Sequence, residues 1–323
     1  MRMTRSLSLA LVPCIGAIVV LVSVASAVSK EAVASHSAAR PAAVGVMRPQ
    51  SIDARRPDAG NGFIYATPLQ GPVDVFPRDG THQQPIGTIT VPSPGSPWGC
   101  AVDKANDLYL TSAKYGVEFG PVLVYRPGQT TPYFAYRAPG LEPEAVAVGD
   151  DGTVHVVSFS QYLYDFRHGN STLVRKVFLG RGFFPYGIAA DRHGTVYVVS
   201  IQHFVLKVDP GAAHPDRLPL TGLTSPIAVA VDDAGNLVVA DDVKNAIFIY
   251  PPGQTTPSQA ITTGIHDPYD IALTPTKLFV TTANSQYGGR RVRIFDYPSG
   301  RLVNSVAVKG HDYYKVCMTS ELP

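Results

Sequence analysis

The chain has 323 residues, of which 45% are hydrophobic and 16% charged, with 29 Gly and 28 Pro; this is the composition of a folded, turn-rich protein and excludes disorder as the default. Length alone leaves one or two domains open, because closed all-β folds often exceed the roughly 150 residues of an average domain. With 27 Lys and Arg against 25 Asp and Glu, no broad electropositive surface is implied, and nucleic acid is not an expected partner.

Arg2 and Arg5 precede an apolar run from Leu7 to Val24 and then Ala25-Ser26-Ala27, the pattern of a signal peptide over 1–27 cleaved after Ala27. The alternative is an uncleaved anchor, since the run approaches the roughly 20 residues that span a bilayer. Either way the rest of the chain is expected to be extracytoplasmic, secreted or periplasmic, with no membrane contact beyond the export segment. Residues 28–57 are rich in Ala, Ser, Arg and Pro without an apolar period and read as a flexible linker. The folded domain is expected over 58–323.

One pattern recurs through that domain: Pro, any residue, a small residue, an apolar strand, a turn and a second apolar strand. Its copies begin at Pro97, Pro143, Pro185, Pro226 and Pro268, so the spacings by subtraction are 46, 42, 41 and 42 residues. Nine residues after the proline stands Asn106, Gly152, Gly194 or Gly235, residue types that tolerate the positive φ of a tight hairpin. Second strands follow at Leu108–Leu110, Val154–Val156, Val196–Val198, Leu237–Val239 and Leu278–Val280. Third strands follow at Val122–Tyr125, Tyr162–Phe166, Val205–Val208, Ile247–Tyr250 and Val292–Phe295.

Each unit reads as a four-stranded antiparallel meander, and the period is that of a propeller blade. A sixth blade is assembled from both ends of the domain. The segment His311-Asp312-Tyr313-Tyr314-Lys315-Val316 aligns with His266-Asp267-Pro268-Tyr269-Asp270-Ile271 and supplies an innermost strand. A turn at Asp58–Asn61 and strands at Phe63–Ala66, Val73–Phe76 and Ile86–Thr90 supply the rest. The expected fold is all-β, a six-bladed β-propeller closed by its N- and C-terminal strands, and a monomer.

The segment Val239-Ala240-Asp241-Asp242-Val243-Lys244-Asn245-Ala246-Ile247-Phe248-Ile249-Tyr250 resembles the NHL signature, in which Ala-Asp, a polar turn with Asn and an apolar strand follow one another. The chain thus resembles NHL-repeat six-bladed propellers, and more distantly virginiamycin B lyase and the gluconolactonase-type lactonases. Of the Gly-Pro-Asp-Gly-Asn-Leu-Trp-Phe run typical of streptogramin lyases only Asp-Gly or Gly-Asn fragments are present. The resemblance implies a binding scaffold or, alternatively, a metal-assisted lyase or lactone hydrolase at the central channel.

In such a ring the residues after the repeated proline converge on the channel mouth, a natural pocket. They are Trp98, Glu144, Tyr186, Ile227, Tyr269 and Tyr314, followed one position later by Gly99, Ala145, Gly187, Ala228, Asp270 and Lys315. The aromatics can stack a ligand or simply plug the channel. Asp270 and Lys315 can pair within it. Longer loops at Ser112–Pro121 and Asn284–Arg291 would add to this face, whose partner is expected to be a small molecule, peptide or protein.

His266 and His311 occupy one repeat position in adjacent blades and can converge on a divalent ion (Ca, Mg or Zn), or merely reflect duplication. His155 reads as an ordinary strand residue. Cys100 and Cys317 fall on innermost strands of neighbouring blades, as a disulfide stapling the closure or as two buried thiols. Pro-Gly-Gln-Thr-Thr-Pro at Pro127–Pro132 and Pro252–Pro257 reads as turn chemistry. Catalysis is left open by the sequence.

Overall fold

The computed structural model describes residues 62–68, 71–80, 84–92, 96–114, 118–282, 291–307 and 311–319, all within the unit Met47–Pro323. The expected signal peptide, linker and Asp58–Asn61 turn, and most of the Asn284–Arg291 loop, lie outside the described residues.

Six four-stranded antiparallel sheets form a closed six-bladed β-propeller. Blade one comprises β4 (Ser96–Val102), β5 (Leu108–Lys114), β6 (Glu118–Tyr125) and β7 (Phe134–Tyr136). Blade two comprises β8 (Pro143–Val148), β9 (Val154–Ser158), β10 (Tyr162–Phe166) and β11 (Leu173–Phe178). Blade three runs β12 (Gly187–Ala190), β13 (Val196–Ser200), β14 (Phe204–Val208) and β15 (Asp216–Leu218). Blade four runs β16 (Pro226–Val231), β17 (Leu237–Asp241), β18 (Ala246–Tyr250) and β19 (Gln259–Ile261). Blade five runs β20 (Pro268–Leu273), β21 (Lys277–Thr282), β22 (Arg291–Asp296) and β23 (Arg301–Val306). Blade six places β24 (Tyr313–Met318) innermost, followed by β1 (Phe63–Pro68), β2 (Val73–Pro77) and β3 (Gly87–Ile89).

Strand alternation builds the core as contacts between blades. Along β1, Phe63 and Tyr65 pack toward blade one while Ile64 and Ala66 pack toward blade five. In β5, Leu108 and Leu110 face blade six and Tyr109 faces blade two. Because both faces of each blade are covered, the strands are apolar on both sides rather than amphipathic. The turn residues chosen for left-handed geometry adopt it: Asn106, Gly152, Gly194 and Gly235 have φ of 64°, 81°, 79° and 80°. The turn is fixed by the preceding aspartate where one is present. Asp191 Oδ1, for instance, accepts the His193 and Thr195 amides at 2.8 and 2.9 Å. Both Pro-Gly-Gln segments form turns, with Gln129 and Gln254 amides donating to the Arg126 and Pro251 carbonyls at 3.0 Å.

Blade six closes as the alignment requires. Tyr65 pairs with Cys317 and Thr67 with Lys315. The Thr319 amide donates to the Phe63 carbonyl at 3.0 Å, and the Phe63 amide donates to Thr319 Oγ1 at 2.8 Å. A disulfide joins Cys100 of β4 to Cys317 of β24, with Cα atoms 5.9 Å apart.

One expectation is corrected. Most of Ser112–Pro121, read as a loop, is strand, because β5 and β6 extend their pairing through Ala113↔Phe119 and Lys114↔Glu118. Gly120 permits this, since a Cβ there would stand 2.8 Å from Ser112 Oγ and 3.0 Å from its carbonyl oxygen.

Candidate functional site at the channel mouth

The residues after the repeated proline stand out of the sheets because the innermost strands bulge there. Pro143 pairs with Ser158 and Ala145 with Val157, which leaves Glu144 outside the ladder. The same slip frees Trp98 and Gly99 in β4, Ile227 in β16, Tyr269 in β20 and Tyr314 in β24. A bulge re-aims its extra side chain, and here it lifts five equivalent positions out of the ladder. In blade three the ladder begins at Gly187, and the Tyr186 amide still donates to the Val199 carbonyl at 2.9 Å.

The small residue at the following position is a packing requirement. A Cβ on Gly99 would lie 2.7 Å from the Glu144 carbonyl oxygen, and one on Gly187 would lie 3.0 Å from Ala228 Cα. Second-strand threonines reinforce these junctions. Thr111 Oγ1 accepts the Gly99 amide at 2.6 Å and donates to the Glu144 carbonyl at 3.2 Å, and Thr281 Oγ1 donates to the Tyr314 carbonyl at 3.0 Å. Blades five and six break the small-residue rule with Asp270 and Lys315.

Those two charges meet inside the ring. Lys315 Nζ lies 3.7 Å from Asp270 Oδ1 and donates to the Tyr186 carbonyl at 2.7 Å, so the lysine reaches from blade six across to blade three. Asp270 Oδ2 accepts the Val316 amide at 2.9 Å. Burial raises the Asp270 carboxyl, opposed by Lys315 and the Val316 amide. Below them the innermost strands line a cavity of about 230 Å³, to which Asp270, Lys315, Cys100 and Cys317 all contribute.

Glu144 is 1% exposed. Burial pushes its carboxyl up to about 8, against the opposing pull of Lys315 and of a hydrogen bond from the Trp98 indole. Its Oε2 is buried without a hydrogen-bond partner.

Trp98, Tyr186, Tyr269 and Tyr314 are each half-buried around this core. Tyr269 and Tyr314 meet edge to face at 4.8 Å, and Trp98 meets Phe159 of blade two at 6.3 Å. The Tyr269 hydroxyl is raised by burial and then by Tyr314, Asp242, Tyr186 and Asp267, which places those groups around it. Ile227, 4% exposed, belongs to the core instead.

The histidines have other surroundings. His311 Nδ1 lies 2.5 Å from Asp74 Oδ2, which also accepts the Tyr313 hydroxyl at 2.6 Å. His266 is half-buried in the approach to β20. Among the described residues no three or more His, Cys, Asp or Glu side chains group as a metal-ligand set. His155 is buried, its Nδ1 2.7 Å from Asp165, which also receives Arg175.

Sequence reasoning missed Asp242, in the turn between β17 and β18. Burial raises its carboxyl, and its Oδ1 is buried without a partner. The neighbouring Asp241 is structural: its Oδ2 accepts the Thr224 and Ser225 amides and its Oδ1 the Lys244 amide. Only the Asp241-Asp242 doublet marked the site. Also missed was a groove of about 760 Å³ between blades three and four on the opposite face, lined by Arg192, Lys207 and Asp232 among others. Two of its charges are paired: Lys207 bonds Asp209 at 2.9 Å and Asp232 accepts the Tyr297 hydroxyl at 2.7 Å.

No family model matches the chain, and no curated protein matches it. Solved structures do. The chain is similar to a propeller from a nidogen/laminin complex, with 15% identity over 80% of this chain and 98% of that one, at a TM-score of 0.66. It is also similar to a protein of unknown function from Bacteroides caccae, with 13% identity over 80% of this chain and 99% of that one, at a TM-score of 0.64. At these identities the likeness establishes the fold, a six-bladed β-propeller, and nothing finer.

Proposed function

We propose that this chain is an exported, NHL-like binding module whose collar at the channel mouth takes a group of a small molecule, peptide or protein. The observation that carries the reading is the pairing of four half-buried aromatic rings with buried carboxyl oxygens that have no partner at the same mouth. Buried acceptors are ordinarily satisfied, and convergent polar groups in an aromatic-lined concavity are what a ligand site requires. Export is supported by Arg2, Arg5 and the Leu7–Val24 run, and by a disulfide that suits an oxidising compartment.

The test is a ligand screen by thermal shift and NMR on the wild-type domain and on a Trp98→Ala, Tyr269→Ala variant. Ligands that bind the first and not the second support the collar; ligands that bind both equally place the site elsewhere, the groove between blades three and four being next in line.

An enzymatic alternative rests on Glu144, a carboxyl held protonated near neutrality beside Lys315, as a general acid requires. A lactone or lyase screen, with and without Ca, Mg or Zn, separates the two. Turnover lost in Glu144→Gln establishes the enzyme, and binding without turnover establishes the module.

A further inference from the structure

The chemical class of the ligand follows from the donor and acceptor inventory of the collar, an inference that rests on the collar being a binding site. Acceptors are in excess there. Glu144 Oε2 and Asp242 Oδ1 are buried without hydrogen-bond partners. Asp242 and Asp267 both act on the Tyr269 hydroxyl, and Asp270 lies at the same mouth. Apart from the hydroxyls of Tyr186, Tyr269 and Tyr314, which donate as well as accept, the donors at the mouth are committed. The Trp98 indole N–H is already given to Glu144, and Lys315 is already given to the Tyr186 carbonyl. The walls are the faces and edges of Trp98, Tyr186, Tyr269 and Tyr314, and aromatic faces attract positive charge.

We propose that the collar recognises an organic cation bearing N–H donors, an alkylammonium or guanidinium group, with Glu144 as its carboxylate partner and the four aromatic rings as its walls. Such a group comes either from a free amine or from a Lys or Arg side chain of a polypeptide. Both sources share the chemistry: the charge neutralises Glu144, an N–H group satisfies its orphaned Oε2, and the alkyl stem lies against the rings.

Binding is coupled to protons. Among the described residues the charge acting on Glu144 is Lys315 from β24, itself paired with Asp270 from β20. The adjoining blades bring Trp98 from β4 and Tyr186 at the approach to β12. A cation binds more tightly when Glu144 is ionised, so binding draws the carboxyl toward proton release. Affinity therefore rises with pH up to about 8, where the Glu144 carboxyl titrates, and levels off above it.

Trp98 is the only tryptophan in the chain, so its fluorescence reports the collar. The experiment titrates the domain with n-butylammonium, n-propylguanidinium, an end-blocked pentapeptide with a central lysine, n-butanol and butyrate, at about pH 6 and about pH 9. The cations are expected to change the Trp98 signal saturably, about tenfold more tightly at the higher pH. Butanol and butyrate are expected to leave it unchanged. Tighter binding of the peptide than of the free amine identifies a polypeptide side chain as the source, and the reverse identifies a free amine.

Glu144→Gln is expected to abolish the pH dependence and weaken n-butylammonium about tenfold at the higher pH. Asp242→Asn, checked for folding by circular dichroism, provides a second variant and is expected to weaken it a few-fold. Equal binding of butanol or butyrate would overturn the cation while leaving the collar as a binding site. No Trp98 response to any cation would overturn the cation too, and the ligand screen above would then decide the collar by itself.

Discussion

The strand β24 (Tyr313–Met318) belongs to both the seam of the ring and its mouth, and the two are built differently. At the seam the polar groups find partners: Asp74 takes His311 and Tyr313, Thr319 exchanges hydrogen bonds with Phe63, and Arg78 donates to the Thr319 carbonyl at 3.3 Å. At the mouth, a few residues away, Lys315 crosses the channel while carboxyl oxygens of Glu144 and Asp242 are left buried and alone. The named polar groups of the seam are thus paired, whereas two carboxyl oxygens of the mouth are buried without a partner.

Removing β24 tests the seam hardest. A chain ending before His311 loses an innermost strand, the disulfide and both Asp74 partners together, and is expected to lose its cooperative thermal transition by circular dichroism. A truncated chain that still melts sharply would mean that the ring closes without its last strand.

Next in size is the disulfide. Replacing Cys100 and Cys317 by Ser is expected to cost about 2–4 kcal/mol in urea denaturation, since the bond closes nearly the whole domain into a loop. Without reductant the denatured domain, lacking its first 27 residues, should not take up alkylating reagent.

At the mouth the expected effect depends on pH. The folded protein holds a proton on Glu144 between the ordinary carboxyl range and about pH 8, where the unfolded chain has released it. Stability carried by this group is therefore full at low pH, falls as pH rises by up to about 1.4 kcal/mol per pH unit, and is flat above about pH 8. Asp270, also raised by burial, slopes the same way, so the measurement is the difference between wild type and Glu144→Gln across that window. A difference that does not vary with pH would contradict the reading. Smallest is Thr281→Val, which removes the hydroxyl joining blade five to the Tyr314 carbonyl and should cost about 1 kcal/mol, read from the urea midpoint.

Much of the fold was legible because propeller blades repeat. The prolines, the positive-φ residues at the hairpins and the alignment of His311–Val316 with His266–Ile271 located every blade, including the split one. The positions of the mouth residues were legible for the same reason, as a shared repeat position. Their environments were not. That Trp98 donates to Glu144, that Lys315 reaches the Tyr186 carbonyl, and that Ile227 turns into the core all depend on distances between blades. Asp242 escaped notice because an Asp-Asp turn is common, and only its buried, unpartnered oxygen sets it apart. His266 and His311 share a repeat position, yet His311 is bonded to Asp74, a residue more than two hundred positions earlier in the chain.

The most direct measurement is the titration of the Glu144 carboxyl itself, followed by ¹³C NMR with selective glutamate labelling and assigned by the Glu144→Gln variant. A midpoint near pH 8 in the free protein, falling when n-butylammonium saturates the collar, is the expected result. A midpoint in the ordinary carboxyl range, unmoved by the cation, would contradict both the buried acid at the mouth and the ligand class assigned to it.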